Sequence, residues 1–187
     1  MKNRFMKKMV SIIVGMSLAT SLLSCDTASK DSPEDIERAK SIALMGYEHA
    51  KGSSSMAGDC HFEMLMKDKE GIWTITTYER DSYEEPVIAT TYSVRAAKLI
   101  EFDAFIKESG VLELAEREDS NDFITDYTPW YYTIRIDDQT TGDNNSARYN
   151  IEEYKEYSDE DYDLLKELDE KFSDLYGKKI SEKKEER

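Results

Sequence analysis

The sequence predicts an α+β domain in which helices pack on one face of an antiparallel sheet, preceded by an N-terminal helix. Three observations carry that expectation. Runs at 60–67, 72–80 and 87–93 are rich in Thr, Ile, Tyr and Val and are separated by polar, turn-forming segments. The apolar period then lengthens to three or four residues over 94–109 and again over 158–177. Between those stretches, Trp130, Tyr132, Ile134 and Ile136 alternate with Tyr131, Thr133, Arg135 and Asp137, the pattern of a strand with one buried face.

Taken in order, Ser32 is placed to cap a helix, Pro33 suits its first position, and Glu34 and Asp35 favour its positive end. Ile36, Ala39, Ala43, Tyr47 and Ala50 continue one apolar stripe, so the spacing predicts a first helix over 33–50. The Gly- and Ser-rich stretch 52–58 reads as a linker. In the first β-type run, Cys60, Phe62, Met64 and Met66 point one way and are expected to face the core, with Cys60 a small core residue.

A second helix is expected over 94–109, with Leu99, Phe102, Phe105 and Ile106 on one side and Gly110 as its C-terminal stop. Residues 111–116 read as a strand, 130–137 as the clearest strand, and 147–152 as its hairpin partner across the turn-rich 138–145. In the last helix Ser158 is the cap, Asp159, Glu160 and Asp161 fill the first turn, and Tyr162, Leu165, Leu168, Phe172, Leu175 and Tyr176 form the apolar stripe, ending at Gly177. Segments 60–110 and 111–177 thus each read as three strands followed by a helix, an order compatible with two similar units. Residues 178–187 mix Lys178, Lys179, Lys183 and Lys184 with Glu182, Glu185 and Glu186 and read as a solvated tail.

The N-terminus has a different character. Lys2, Arg4, Lys7 and Lys8 precede an apolar stretch of 15 residues, 9–23, and no acidic residue occurs before Asp26. A spanning helix needs about 20 apolar residues, so the stretch fits a secretion signal better than a permanent anchor. Leu22-Leu23-Ser24-Cys25 follows, a large aliphatic residue three before a cysteine and a small residue immediately before it. This resembles the lipobox of bacterial lipoproteins, departing from it at Leu23. The resemblance covers about the first 25 residues and implies cleavage between Ser24 and Cys25, with Cys25 as the acylated N-terminus. Two acyl chains anchor stably where one is marginal. The expected organisation is a signal at 1–24, a tether at 25–32, the helix and linker at 33–58, an α+β domain at 59–177 and the tail at 178–187.

The chain holds 25 basic and 40 acidic residues for a formal net charge of −15, and four of the basic ones precede residue 25. Such a surface repels a phosphate backbone, so nucleic acid is not an expected partner. The expected partners are the membrane, through Cys25, and an envelope protein or glycan. Of the two cysteines, lipidation of Cys25 leaves Cys60 without a disulfide partner. The sequence contains no Gly-rich phosphate loop, no Gly-x-Ser-x-Gly, no His-Glu-x-x-His and no Cys-x-x-Cys. No catalytic residue, metal ligand or cofactor is therefore expected. The two histidines, His49 on the first helix and His61 on the strand face opposite Cys60, are expected to serve packing or surface roles.

Acidic pairs such as Asp137 with Asp138, and the run 159–163, suit turns and a helix N-terminus. Asp137, Asp138, Asp143 and Asn145 could offer oxygens to calcium, but their spacing is not that of an EF-hand loop. In the aromatic run Tyr127-Thr128-Pro129-Trp130-Tyr131-Tyr132, Trp130 and Tyr132 are expected in the core, and Tyr127 and Tyr131 are the candidate binding residues. Three functions remain open: a non-catalytic, membrane-anchored binding module; a carbohydrate-binding surface protein using Tyr127 and Tyr131; and an envelope hydrolase using paired carboxylates.

Overall fold

The computed structural model describes residues 31–54, 58–120, 127–137 and 146–185, with backbone alone for 53, 54, 127 and 128. Ser24, Cys25 and the loop residues Asp138, Asp143 and Asn145 lie outside them. The helices are α1 (Pro33–Lys40), α2 (Ala96–Glu108) and α3 (Asp159–Ser173), with a 3-10 helix at Val111–Glu116. The strands are β1 (Leu44–Ala50), β2 (Ser53–Ser54), β3 (Cys60–Lys67), β4 (Trp73–Arg80), β5 (Val87–Val94), β6 (Tyr127–Thr128), β7 (Tyr131–Asp137), β8 (Ser146–Glu152) and β9 (Tyr176–Glu185). Seven of them form one antiparallel sheet in the order β8-β7-β1-β3-β4-β5-β9, and β2 pairs with β6 apart from it. The fold is α+β.

The first helix is shorter than its stripe of alanines suggests. Ser32 accepts a hydrogen bond from the Asp35 amide at 3.1 Å and Pro33 starts the helix, but it stops at Lys40. Leu44–Ala50, expected as its continuation, is instead an interior strand of the sheet, third in the order and flanked by β7 and β3. Backbone pairing on both flanks, to β3 and to β7, outweighs the modest helix preference of these residues, and Gly46 weakens that preference further. A register shift between Leu44 and Gly46 leaves Met45 as a bulge, which turns both Leu44 and Tyr47 toward the helices. The Leu44 amide donates to the buried Asp103 carboxylate of α2 at 2.9 Å, and the Trp73 indole donates to the Ala39 carbonyl at 3.1 Å. These two bonds tie α2 and α1 to the sheet.

The core lies between the sheet and the helices, and its rows can be followed strand by strand. Ile134, Tyr47, Leu65, Ile75 and Tyr92 are successive cross-strand neighbours on β7, β1, β3, β4 and β5. The first four are fully buried, as are Leu99, Phe102, Leu168 and Leu175 opposite them. Complete burial of each such side chain stabilises by about 1.5–3 kcal/mol.

This register reverses the expected faces of β3. Leu65, Glu63 and His61 point to the helices, while Cys60, Phe62, Met64 and Met66 lie on the open face. Both faces of that strand carry apolar residues, so alternation alone does not choose between them. The alignment of Leu65 between Tyr47 and Ile75 does. Cys60 is accordingly half-exposed and free, rather than a core residue.

Three further expectations are corrected. Residues 111–116 are helical, because the three-residue period of a 3-10 turn sends both Val111 and Leu114 into the core after Gly110 reverses the chain at φ 84°. The expected tail is β9, an edge strand on β5, where backbone pairing needs no apolar face and the lysines discourage further strand addition. The two-unit idea finds no match either, since among its described residues 111–177 has no third long strand to set beside the three of 60–110, and β1 sits between the two sets of strands. The other expected elements form, namely β3, β4, β5, α2, the β7–β8 hairpin and α3.

Strand β9 begins where the chain has least room. A Cβ on Gly177 would lie 2.8 Å from the Ser93 carbonyl oxygen, closer than side chains approach backbone. Gly177→Ala is expected to lower stability by about 1–3 kcal/mol in urea unfolding, within the range for overpacking. An unchanged unfolding midpoint would show that β9 does not pack this tightly on β5.

Candidate functional site

The row next to the apolar one is polar. Tyr132, His49, Glu63, Thr77 and Thr90 follow one another across β7, β1, β3, β4 and β5 on the helix-facing side. Burying such a row costs free energy unless its members bond to one another. They do so around Glu63. His49 Nδ1 lies 3.2 Å from Glu63 Oε2, and the Tyr176 hydroxyl donates to Glu63 Oε1 at 2.7 Å. His61 Nε2 lies 3.5 Å from the same oxygen, and its Nδ1 is 3.3 Å from Glu79. The two histidines of the chain thus converge on one carboxylate.

A second carboxylate reaches the same imidazole from the helix layer. Asp169 Oδ1 is 3.8 Å from His49 Nδ1 and accepts a hydrogen bond from the Tyr132 hydroxyl at 3.1 Å. The His49 ring lies nearly flat on Tyr132, with centroids 4.4 Å apart. Asp169 stands on the shoulder of the apolar stripe of α3, four residues after Leu165 and three before Phe172, both buried. The helix is fixed at its start by a capping box in which Ser158 and Asp161 exchange hydrogen bonds, and Arg117 grips Asp161 through two nitrogens at 2.8 and 3.1 Å. At its end, the Arg95 amide donates to the Leu175 carbonyl, and Tyr176 enters β9 beside Val94.

These contacts surround a cleft of about 310 Å³, lined by His49, Lys51, Glu63, Asp169, Phe172 and Tyr176 together with Glu170 and Ser173. Its two inner carboxylates are driven in opposite directions. Burial works against the charge on Glu63, but the bonds from His49 and Tyr176, with His61 close by, outweigh it and hold the carboxyl well below the usual range. Asp169 is raised, first by burial and then by the charge of Glu63, against the opposing influence of His49 and Tyr132. Burial and Glu63 raise the Tyr176 hydroxyl, so it stays protonated as a donor. Tyr47, packed on Phe172, is fully buried, and its hydroxyl has no hydrogen-bond partner among the described residues. Burial raises its pKa, and Tyr132, Asp169, Glu63 and Tyr176 add to the effect.

No family model, curated protein or solved structure matches this chain. Its chemistry therefore rests on the geometry. Among the described residues, no group of three or more His, Cys, Asp or Glu is arranged to hold a metal ion. No described helix is long and apolar enough to cross a membrane.

Of the two sequence-derived candidates, Tyr131 does not line the cleft. Tyr131 lies half-buried on the open face beside Glu48 and Arg148. Burial and the Glu48 charge raise its hydroxyl, with Arg148 opposing. The Tyr127 side chain lies outside the described residues, and its backbone pairs with Ser54. Tyr131 does have ring-bearing neighbours, because Ala50, Phe62, Tyr78 and Ala89 continue its row across β1, β3, β4 and β5. Trp130 and Tyr132 pack inward as expected, but Tyr132 also carries the Asp169 bond.

The sequence pattern does not bring His49 and Glu63 together, because the apolar spacing puts one on a helix and the other on the strand face opposite the expected core. The available signal was that Glu63 and Leu65 share a face of one strand, so a buried Leu65 brings a carboxylate in with it.

Glu63→Gln is expected to cost about 1–3 kcal/mol at neutral pH through loss of its charged hydrogen bonds. The folded-state pKa of Glu63 lies below its unfolded value, so this contribution is full above the ordinary carboxylate pKa and is lost as pH falls through that range and below it. Urea unfolding of wild type and variant should therefore converge in acid. A gap that stays constant or widens there contradicts the network.

Proposed function

We propose that the chain is a bacterial lipoprotein, anchored through Cys25, whose exported domain is a non-catalytic binding module with the His49–Glu63–Asp169 cleft as its ligand site. Leu22-Leu23-Ser24-Cys25 supports the anchoring. The observation that carries the binding reading is a cleft with polar groups converging on it from three strands and a helix, with a buried hydroxyl that lacks a partner on the Tyr47 ring packed behind its Phe172 wall. Clefts with a few convergent polar groups against aromatic walls are the usual form of small-molecule sites, and about 310 Å³ lies at the small end of their range.

Binding is favoured over catalysis by how thoroughly the imidazole and Glu63 are engaged. His49 is 4% exposed, stacked on Tyr132 and bonded to Glu63, while Glu63 already accepts from both His49 and Tyr176. Groups held this way order a site, whereas a general base must be free to reach a substrate proton. One further observation supports a second reading, a glycan-binding surface on the open face. There Tyr131, Phe62 and Tyr78 lie in one row, with the small Ala50 between Tyr131 and Phe62 and Ala89 beyond Tyr78. Such rings suit stacking on a sugar.

Cys25→Ser is expected to move the protein from the membrane to the soluble fraction of cells expressing it. Retention in the membrane would overturn the anchoring. To test the site, the dialysable part of an envelope extract is added to the whole chain in detergent. At a hundredfold excess over Kd a ligand stabilises by about 2.7 kcal/mol, a rise of several degrees in Tm. Asp169→Asn should remove most of that rise. If Tyr131→Ala removes it instead, the open face is the site, and no rise in any variant contradicts both readings.

A further inference from the structure

We infer that the cleft takes an organic cation, a primary ammonium group carried on a short apolar chain. The inference rests on the binding reading above and adds the class of ligand.

The charge of the cleft is the first reason. Three carboxylates, Glu63, Asp169 and Glu170, line it against the single ammonium of Lys51. Glu63 and Asp169 share one imidazole nitrogen, at 3.2 and 3.8 Å. A single N–H cannot serve both in full, and the distances show that Glu63 holds it. Asp169 keeps the Tyr132 hydroxyl and otherwise faces the cleft, with its side chain 47% exposed. An anionic ligand would add to a repulsion already present, and a neutral one would leave it in place. A cation relieves it.

The second reason is a buried hydroxyl without a partner. The Tyr47 ring is wedged against Phe172, Phe102 and Tyr132, with centroids at 4.5, 5.5 and 6.1 Å. Its hydroxyl is unpartnered among the described residues, and Phe172, on which the ring packs, lines the cleft. An orphaned buried polar group of this kind costs about 1–3 kcal/mol. A primary ammonium has three N–H donors and no acceptor. Glu63 and Asp169 in the lining are two acceptors for that donor set, and the unpartnered Tyr47 hydroxyl sits on a ring packed against the Phe172 wall.

The walls account for the rest of the ligand. Phe172 and Tyr176 flank the cleft with their rings 5.9 Å apart and nearly perpendicular, which offers apolar contact for methylenes and an aromatic face near the charge. Lys51 at the mouth disfavours a second positive charge there. The formal charge of −15 on the whole chain draws cations toward the surface from a distance.

The test is isothermal titration of the whole chain in detergent with pentylamine, with 1-pentanol as the neutral probe and pentanoate as the anionic probe of similar length. Pentylamine is expected to bind at one site and the other two not to bind. Asp169→Asn should weaken pentylamine about tenfold or more, the loss of one charged hydrogen bond. Lys51→Ala should tighten it, a change that a purely structural role for the cluster would not produce. Because Asp169 is half-exposed, the Asn variant keeps the fold, and its urea unfolding curve checks this. If pentanol or pentanoate binds with the same dependence on Asp169, the cation inference is overturned and the cleft remains a binding site. Pentylamine binding that ignores both substitutions overturns it as well. Silence from all three probes also overturns it, and the extract experiment then decides separately whether the cleft binds anything.

Discussion

Strand β1 is the constraint on which the rest of this structure depends. It is bonded to β7 on one side and to β3 on the other, so it joins the β7–β8 hairpin to the meander of β3, β4 and β5. Its helix-facing residues are also the hinge of the interior. Tyr47 joins Ile134 to Leu65 in the apolar row, and His49, two residues on, joins Tyr132 to Glu63 in the polar one. One strand therefore sets both where the core is dry and where it opens into a cleft. The Met45 bulge, with the Leu44 amide closed off by Asp103, keeps both rows in phase with the helices above them.

The change from an apolar to a polar row has an energetic consequence. A buried carboxylate is tolerated only when it is bonded, and Glu63 draws partners from β1 and β9, with His61 of its own strand close by. Those bonds tie the end of the chain to its middle. Tyr176 is a late residue, yet its hydroxyl closes on Glu63, and the tight seat of Gly177 against Ser93 holds it there. Asp169 behaves differently. Its charge is disfavoured by burial and by Glu63, and its main compensation is one tyrosine hydroxyl and a distant edge of His49. A domain optimised only for stability would not keep that carboxylate, and strained groups of this kind gather at functional sites.

Much of the fold was legible because local pattern and tertiary position agree. The strict alternation of 130–137 matches a strand with one buried face, and the stripe through Leu165, Leu168 and Phe172 matches a helix lying on that face. Where the pattern was ambiguous, long-range pairing decided. Residues 44–50 carry alanine and glycine spaced for either period, and only their two neighbours make them a strand. Residues 60–67 are apolar on both faces, and only the register with Tyr47 and Ile75 turns Leu65 inward. Strand β9 has no apolar pattern because an edge strand needs none.

The site was far less legible, for the same reason. His49, Glu63, Asp169, Tyr132 and Tyr176 are dispersed over more than a hundred positions, and no motif links them. Their meeting is a product of the strand order, which places β1 beside β3 and brings β9 back after α3. The aromatic run at 127–132 drew attention for its density, but its contribution to the cleft is the one inward hydroxyl of Tyr132.

The central claim is that Glu63 is buried, charged and held by hydrogen bonds from His49 and Tyr176. Carbon-13 NMR of the Glu63 side-chain carboxyl, followed as pH is lowered in the whole chain, tests it most directly. The carboxyl resonance should stay at the ionised position while the exposed glutamates protonate, and should move only when the fold itself begins to fail in acid. A Glu63 signal that titrates together with the exposed glutamates would contradict the account.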